Sequence, residues 1–249
     1  MNTIVCIKRV PDTEARIRIG PDGKSIDPSG VKYVLNPYDE IALEEAIRLR
    51  EQAGSGTVTV MTVGEDDSKE TLRTALAMGA DEAVLLRARP EMDALPVARA
   101  LADAIRERDA DMVMFGKQAV DDDNMQVPPM VAELLELPCA TVVVELELSD
   151  GRAVARREVE GGHEVVEFGL PAVISAQKGL NEPRYPSLKG IMAAKKKPMQ
   201  EVDIELAAAR LTVDSLRLPP ERSGAGYKGE GADAAPELVR LLHQEAKAI

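Results

Sequence analysis

Apolar residues recur along the first 176 positions in two alternating patterns, short unbroken runs and stripes at three- and four-residue spacing. The runs at 3–7, 57–63, 83–86, 111–115 and 172–176 have the length and composition of strands buried on both faces. Between them the stripes predict helices. One starts at Asn36, followed by Pro37 at the first helical position, buries Ala42, Leu43, Ala46 and Ile47, and stops at Gly54. A second is capped by Ser68, turns Leu72, Ala75 and Leu76 inward and ends at Gly79. Leu95, Ala98, Leu101 and Ile105 stripe a third. Residues 16–19 (Arg-Ile-Arg-Ile) alternate like an exposed strand before the turn Pro21-Asp22-Gly23. Strands alternating with helices of this length imply right-handed crossovers and a doubly wound α/β fold with a mainly parallel sheet.

From Thr141 the rhythm changes. Residues 141–148, 153–160 and 163–168, separated by Ser-Asp-Gly and Gly-Gly turns, predict an antiparallel meander. After Ala176 some seventy residues rich in Pro and Gly carry weak periodicity, up to a helix at 236–248. A compact domain rarely holds so long an irregular stretch on its own, so residues 1–177 read as the α/β domain and 178–249 as an extended arm ordered by a partner.

Composition narrows the chemistry. Hydrophobic residues make up 45% of the 249, as in a globular chain. A net charge of −12 with two Phe and no Trp argues against nucleic acid as a partner. Two cysteines, Cys6 and Cys139, build no disulfide framework and suit a reducing compartment. No run is long enough to span a bilayer and the chain opens on a strand-like segment, so a cytoplasmic location is expected. His163 and His243, both remote from cysteine, make no His-rich metal site. Gly-x-Ser-x-Gly, the Walker Gly-Lys-Ser/Thr and Gly-x-Gly-x-x-Gly are all absent. With no acid–base or nucleophilic constellation, the chain reads as one that binds and positions a cofactor and is not itself an enzyme.

The stretch following the run at 111–115 is the most informative. Gly116 follows the strand directly and would let a ligand approach the backbone, and Pro128 and Pro129 belong to the first turn of a following helix. Strand, Gly turn and helix N-terminus together suit an anion. The run Asp121, Asp122, Asp123 repels phosphate, however, and fits hydroxyl-accepting or helix-capping roles equally well. Ligands of doubly wound sheets sit at the carboxyl ends of strands, so the loops after the first and central strands and the Asn36 helix start are candidate walls of one pocket. Lys195, Lys196 and Lys197 read as a solvated face or a docking edge, with Leu188 and Ile191 beside them as interface anchors.

Gly116-Lys-Gln-Ala-Val-Asp-Asp-Asp123 and the segment from Leu180 through Asn-Glu-Pro-Arg-Tyr-Pro-Ser-Leu-Lys-Gly-Ile-Met-Ala-Ala to Lys197 closely resemble electron transfer flavoprotein β subunits. Val5-Cys-Ile-Lys-Arg-Val-Pro-Asp12, Leu35-Asn-Pro-Tyr38 and the segment from Thr71 to Asp81 extend the resemblance over about residues 3–200. It implies an adenine-nucleotide α-hydrolase-like fold and a heterodimer with an α subunit that holds most of one FAD, with AMP buried in β. Electrons would come from donor dehydrogenases, such as acyl-CoA dehydrogenases of fatty acid oxidation, and leave to a membrane quinone oxidoreductase. By resemblance the AMP site comprises Cys6, Asn36, Pro37, Tyr38, Asp39 and Val63. It continues through Gly116, Lys117, Gln118, Ala119, Val120, Asp121, Asp122, Asp123, Asn124, Met125, Gln126 and Val127. Thr13 and Tyr38 would approach the flavin, and Glu158 matches a carboxylate that pairs across subunits and influences domain motion. Arg184, Tyr185, Pro186, Ser187, Leu188, Lys189, Gly190, Ile191, Met192 and Ala193 match the loop that recognises dehydrogenases. Residues 124–129 depart from the pattern in lacking Thr and Gly. Val10-Pro-Asp-Thr13 and Asn36-Pro-Tyr-Asp39 also resemble electron-bifurcating relatives with a second FAD in place of AMP, whereas the Asp run and Asn181-Glu-Pro-Arg-Tyr185 favour AMP. A free-standing nucleotide-sensing domain is the alternative of a different class, and it has no need of the arm.

Overall fold

The apolar runs form the centre of one nine-stranded sheet in a computed structural model, which describes residues 1–90, 93–220 and 229–249. The chain forms β1 (Thr3–Cys6), a short ribbon of β2 (Arg9–Pro11) and β3 (Tyr33–Leu35), then α1 (Pro37–Ala53) and β4 (Val58–Gly64). It continues through α2 (Ser68–Met78), β5 (Glu82–Arg87), α3 (Ala94–Arg106), β6 (Met112–Gly116) and α4 (Val127–Leu135). The meander β7 (Cys139–Ser149), β8 (Arg152–Val159) and β9 (Gly162–Gly169) leads to β10 (Ala172–Ala176), α5 (Leu188–Ala194), β11 (Met199–Asp203) and α6 (Ala235–Gln244).

The sheet order is β11-β5-β4-β1-β6-β10-β7-β8-β9. Every pair from β11 to β7 is parallel, β8 adds antiparallel to β7, and β9 antiparallel to β8. Side chains alternate across the strands. Val5, Ile7, Met112 and Met114 therefore meet α1 and α2 on one face, while Ile4, Cys6, Val113 and Phe115 meet α3 and α4 on the other. This is the doubly wound arrangement. Leu43, Ile47, Leu72 and Leu76 are fully buried, and each contributes about 2 kcal/mol by leaving water. From β1 the chain winds through β4 to β5, then α3 carries it back to β6 on the other side of β1. The winding reverses between β1 and β6, which is where such sheets bind ligands.

Three local expectations are corrected. Residues 16–19 form no strand: Ile19 makes a single bridge to Ile26, because the segment folds onto its own turn, where the Gly20 N–H donates to the Ser25 carbonyl, and so lacks a partner strand. Ser68 is the first residue of α2, with Asp67 at the cap position, and its hydroxyl packs so close to Gly64 that a β-carbon there would collide with it. Lys197 is no solvated charge. Its ammonium donates to the carbonyls of Leu76 (3.0 Å) and Ala80 and closes the open end of α2, and burial holds its pKa below the ordinary lysine value.

The irregular region after Ala176 holds more order than its periodicity shows. Asn181 donates to the Ile41 carbonyl (3.0 Å) and to Glu45 (2.8 Å), and Arg184 pairs with Glu44 and Glu51 of α1 at 2.8 Å each. β11 then joins β5 as a parallel edge strand, with Arg87 held by Asp66, Glu201 and Asp203. The sheet thus runs across the expected boundary at 177, and the chain beyond it stays tied to the body, with Ile204 donating to the Arg87 carbonyl and the Arg210 and Leu211 N–H groups to Asp93. Residues 221–228 of the arm lie outside the described residues. Of α6, no residue is buried, although Leu238, Val239, Leu241 and Leu242 give it an apolar side.

Candidate functional site

The carboxyl ends of β1 and β6 are tied together by the first turn of α1. Asn36 and Asp39 are both buried, and neither serves its helix. The Asn36 side chain makes no cap hydrogen bond. Its amide donates instead to the Gln118 carbonyl (2.8 Å) and its oxygen accepts from the Val120 N–H (3.2 Å), which fixes the loop after β6. One Asp39 oxygen accepts from the Lys8 N–H (2.7 Å) and the other from the Gly116 N–H (2.9 Å). Burial pushes the Asp39 carboxyl up to about 7, against the pull of these hydrogen bonds. Burial, with Asp39 nearby, also raises the Cys6 thiol, so Cys6 is an inert small side chain of the core, packed towards α3 and α4.

The acid run is engaged inside the protein. Lys8 reaches across from the end of β1 to Asp121 (2.8 Å) and Asp122 (3.0 Å), and Gln118 donates to Asp123. Burial opposes the charge on Lys8, but the two carboxylates outweigh it and raise its pKa. None of the three caps α4, whose N-cap position is Gln126 with no side-chain hydrogen bond. Two non-glycine residues of the loop, Asp123 (φ 51°) and Met125 (φ 55°), take the left-handed conformation, a strain that clusters at binding loops. Pro128 and Pro129, at the second and third positions of α4, remove two of the N–H groups an anion would use. Among the described residues no cluster of His, Cys, Asp or Glu is arranged to hold a metal ion.

Gly116 is a glycine for a reason other than ligand access. A β-carbon there would lie 2.5 Å from the Asp39 carboxylate and 2.6 Å from Tyr38, so the space is already taken by α1. Beside it the Lys117 ammonium stands 5.0 Å above the Tyr38 ring.

An electron transfer flavoprotein domain model matches residues 24–207. The electron transfer flavoprotein β subunit of Bacillus subtilis is 44% identical over 260 aligned positions, covering all of both chains. The β subunits of Syntrophomonas wolfei and Homo sapiens are 43% and 39% identical, each with at least 97% of both chains aligned. The chain belongs to the electron transfer flavoprotein β-subunit family. In this member of the family Cys6, Asn36, Pro37, Tyr38, Asp39, Val63 and the loop from Gly116 to Val127 gather at the carboxyl edge of β1, β4 and β6. Thr13 is exposed beyond the outer end of the β2–β3 ribbon, whereas Tyr38 lies at its root. Glu158 is exposed on β8, where Gln177 donates to it (2.7 Å). The segment 184–193 divides in two. Arg184 is bound to α1, while Tyr185, Leu188, Ile191 and Met192 are exposed, Leu188 by 83%.

Sequence reasoning missed Lys8 and the acids of α1. Lys8 stands with Arg9 at a strand exit, and it is Lys8 that meets Asp121 and Asp122 of the acid run. Glu44 and Glu45 sit beside the apolar stripe of α1, and a buried acid needs a partner.

Proposed function

We propose that this chain is the β subunit of a heterodimeric, cytoplasmic electron carrier, paired with an electron transfer flavoprotein α subunit, sharing one FAD with it and holding AMP at the carboxyl edge of β1 and β6. It would accept electrons from primary dehydrogenases and pass them to a membrane quinone oxidoreductase. The observation that carries the pairing is the arm: Leu211, Leu218, Leu238 and Val239 are all about half exposed or more, and α6 buries nothing. Apolar side chains presented this way mark a surface that another protein covers. The residues at the carboxyl edge fit an adenine nucleotide, since Lys8 and Gln118 engage the acid run that would otherwise repel phosphate. Asn36 and Asp39 would hold the loop from Gly116 to Val127 around AMP. Tyr38, with the Lys117 charge over its ring, and Thr13 would face the flavin, which when bound supplies the electron-carrying chemistry. No helix among the described residues is long and apolar enough to cross a membrane.

The test is co-expression with an α subunit, followed by acid extraction and nucleotide analysis. One FAD and one AMP per heterodimer is the expected content. Two FAD and no AMP would replace this reading by the electron-bifurcating one, and a stable monomer with neither would sink the pairing.

Leu188 is the proposed anchor for the donor dehydrogenase. Its helix is held rigidly: Ser187 caps it by accepting from the Gly190 N–H (3.0 Å), Arg73 donates to the Ala194 carbonyl (2.6 Å), and Gly190 packs against Ala77 without room for a β-carbon. A rigid exposed apolar side chain loses little entropy on docking. Leu188→Ala is expected to weaken donor docking by about 1–3 kcal/mol through faster dissociation, with melting temperature and cofactor content unchanged. Donor-driven reduction compared with dithionite reduction measures this, and equal losses in both would return Leu188 to a structural role.

A further inference from the structure

We infer that Asp93 is a positioning residue for subunit assembly: its buried carboxylate fastens the root of the C-terminal arm to the body, so that this chain itself orders the arm as far as Leu216 and presents it rigid to the α subunit. The inference rests on the pairing proposed above. It adds the residue that aims the arm and the point along the chain at which the partner takes over.

Asp93 stands at the start of α3 and is 6% exposed. One of its oxygens accepts from the Leu95 N–H at 3.1 Å and caps the helix. The other accepts from the N–H groups of Arg210 (2.6 Å) and Leu211 (3.2 Å), 117 and 118 positions further along. A helix cap needs only the first oxygen, so the second is what a capping role leaves unexplained. The arm is fastened on both sides of this point. Ile204 donates to the Arg87 carbonyl (3.1 Å) and packs with Val202 on the α3 side of the core. Leu216 donates to the Gly23 carbonyl (2.8 Å), in the turn between β2 and β3.

Held in this way, the root turns Val213 and Leu216 towards the body, where both are half-buried, and leaves Leu211 and Leu218 facing out, 63% and 59% exposed. These two belong to the same series of exposed apolar side chains as Leu238 and Val239 of α6. The strip is therefore continuous along the chain with the surface assigned to the α subunit. A segment that is ordered only on binding loses affinity to the entropy of that ordering. Here the root is ordered when the domain folds, so the partner meets a fixed strip. Past Leu216 the division of labour reverses, since α6 buries nothing in this chain. Of the fastenings, the one at Asp93 is made by a side chain, and a substitution can release it without touching the main chain.

The experiment compares the wild type with Asp93→Ser, whose hydroxyl still caps α3 but supplies no second oxygen for the arm. It measures the dissociation constant of the heterodimer with an α subunit by sedimentation on dilution. Melting temperature and amide exchange over residues 204–218 are recorded on the chain alone. Asp93→Ser is expected to weaken the heterodimer about tenfold and to speed exchange at Arg210 and Leu211. Its melting temperature should fall by no more than about 2 °C, because the cap is kept. A heterodimer as tight as the wild type overturns the proposal, and so does unchanged exchange at Arg210 and Leu211, since something else then holds the arm. A fall in melting temperature large enough to account for the weaker pairing overturns it as well, by returning Asp93 to a purely structural role. Should the wild-type chain form no heterodimer, the pairing reading fails and takes this inference with it.

Discussion

Gly116→Ala is expected to destabilise the fold and, in the proposed nucleotide pocket, to abolish nucleotide binding in the same step. The added methyl group would sit 2.5 Å from the Asp39 carboxylate and 2.6 Å from the Tyr38 backbone, and backbone cannot swing aside as a flexible side chain does. Either α1 backs away from β6 or β6 shifts in the sheet, and both break the Asp39 tie to the Gly116 N–H. A buried carboxylate losing one of two partners, together with an overpacked contact, costs on the order of 3 kcal/mol. Thermal unfolding and nucleotide analysis on one preparation measure the two effects. A variant that loses nucleotide while melting like the wild type would mean that Gly116 is there to admit the ligand and that α1 can yield.

Arg184→Ala is expected to lower stability by about 2 kcal/mol, in contrast to its neighbour Leu188. Glu44 is 4% exposed, and Arg184 meets both of its oxygens, at 2.8 Å and 3.0 Å. Without the guanidinium that carboxylate stays buried with no countercharge, and the second arm of the pair, to Glu51, is lost as well. The pair is partly open to solvent, which keeps the figure below that of a fully buried one. Denaturant unfolding gives the number. Glu44→Gln in the Arg184→Ala background should restore part of it, because the uncompensated charge is gone. If Arg184→Ala unfolds at the wild-type midpoint but fails to accept electrons from a donor dehydrogenase, Arg184 belongs to the docking face after all.

The parallel strands and their helices were legible in the sequence because each writes its own burial into a local pattern. Ala42, Leu43, Ala46 and Ile47 lie at helical spacing and are all fully buried. The turns Gly54, Gly151 and Gly161 have the positive φ that the pattern asked for. β11 was not legible, because an edge strand with only Met199 and Val202 half-buried and Gln200, Glu201 and Asp203 exposed carries no continuous apolar run. Its identity comes from what it meets, β5, far back along the chain. The site follows the same division. The meeting of the β1 exit, the Asn36 turn and the Gly116 loop follows from topology. The tasks of Asn36 and Asp39 do not, since a cap residue and a first-turn acid look alike in sequence whether they serve their own helix or a neighbouring loop. Gly116 shows the same limit: its need for space was readable, and the occupant of that space was not.

The place of β11 has a consequence for biosynthesis. Arg87 and Asp203, aligned across β5 and β11, are 116 residues apart. While the chain is being made, β5 waits as a bare parallel edge until the chain has emerged as far as Asp203. An uncovered edge strand is a template for pairing with another nascent chain. A version ended at residue 177 would keep that edge open for good and lose the ring of Asp66, Glu201 and Asp203 around Arg87. Such a fragment is expected to assemble with itself through the open edge of β5.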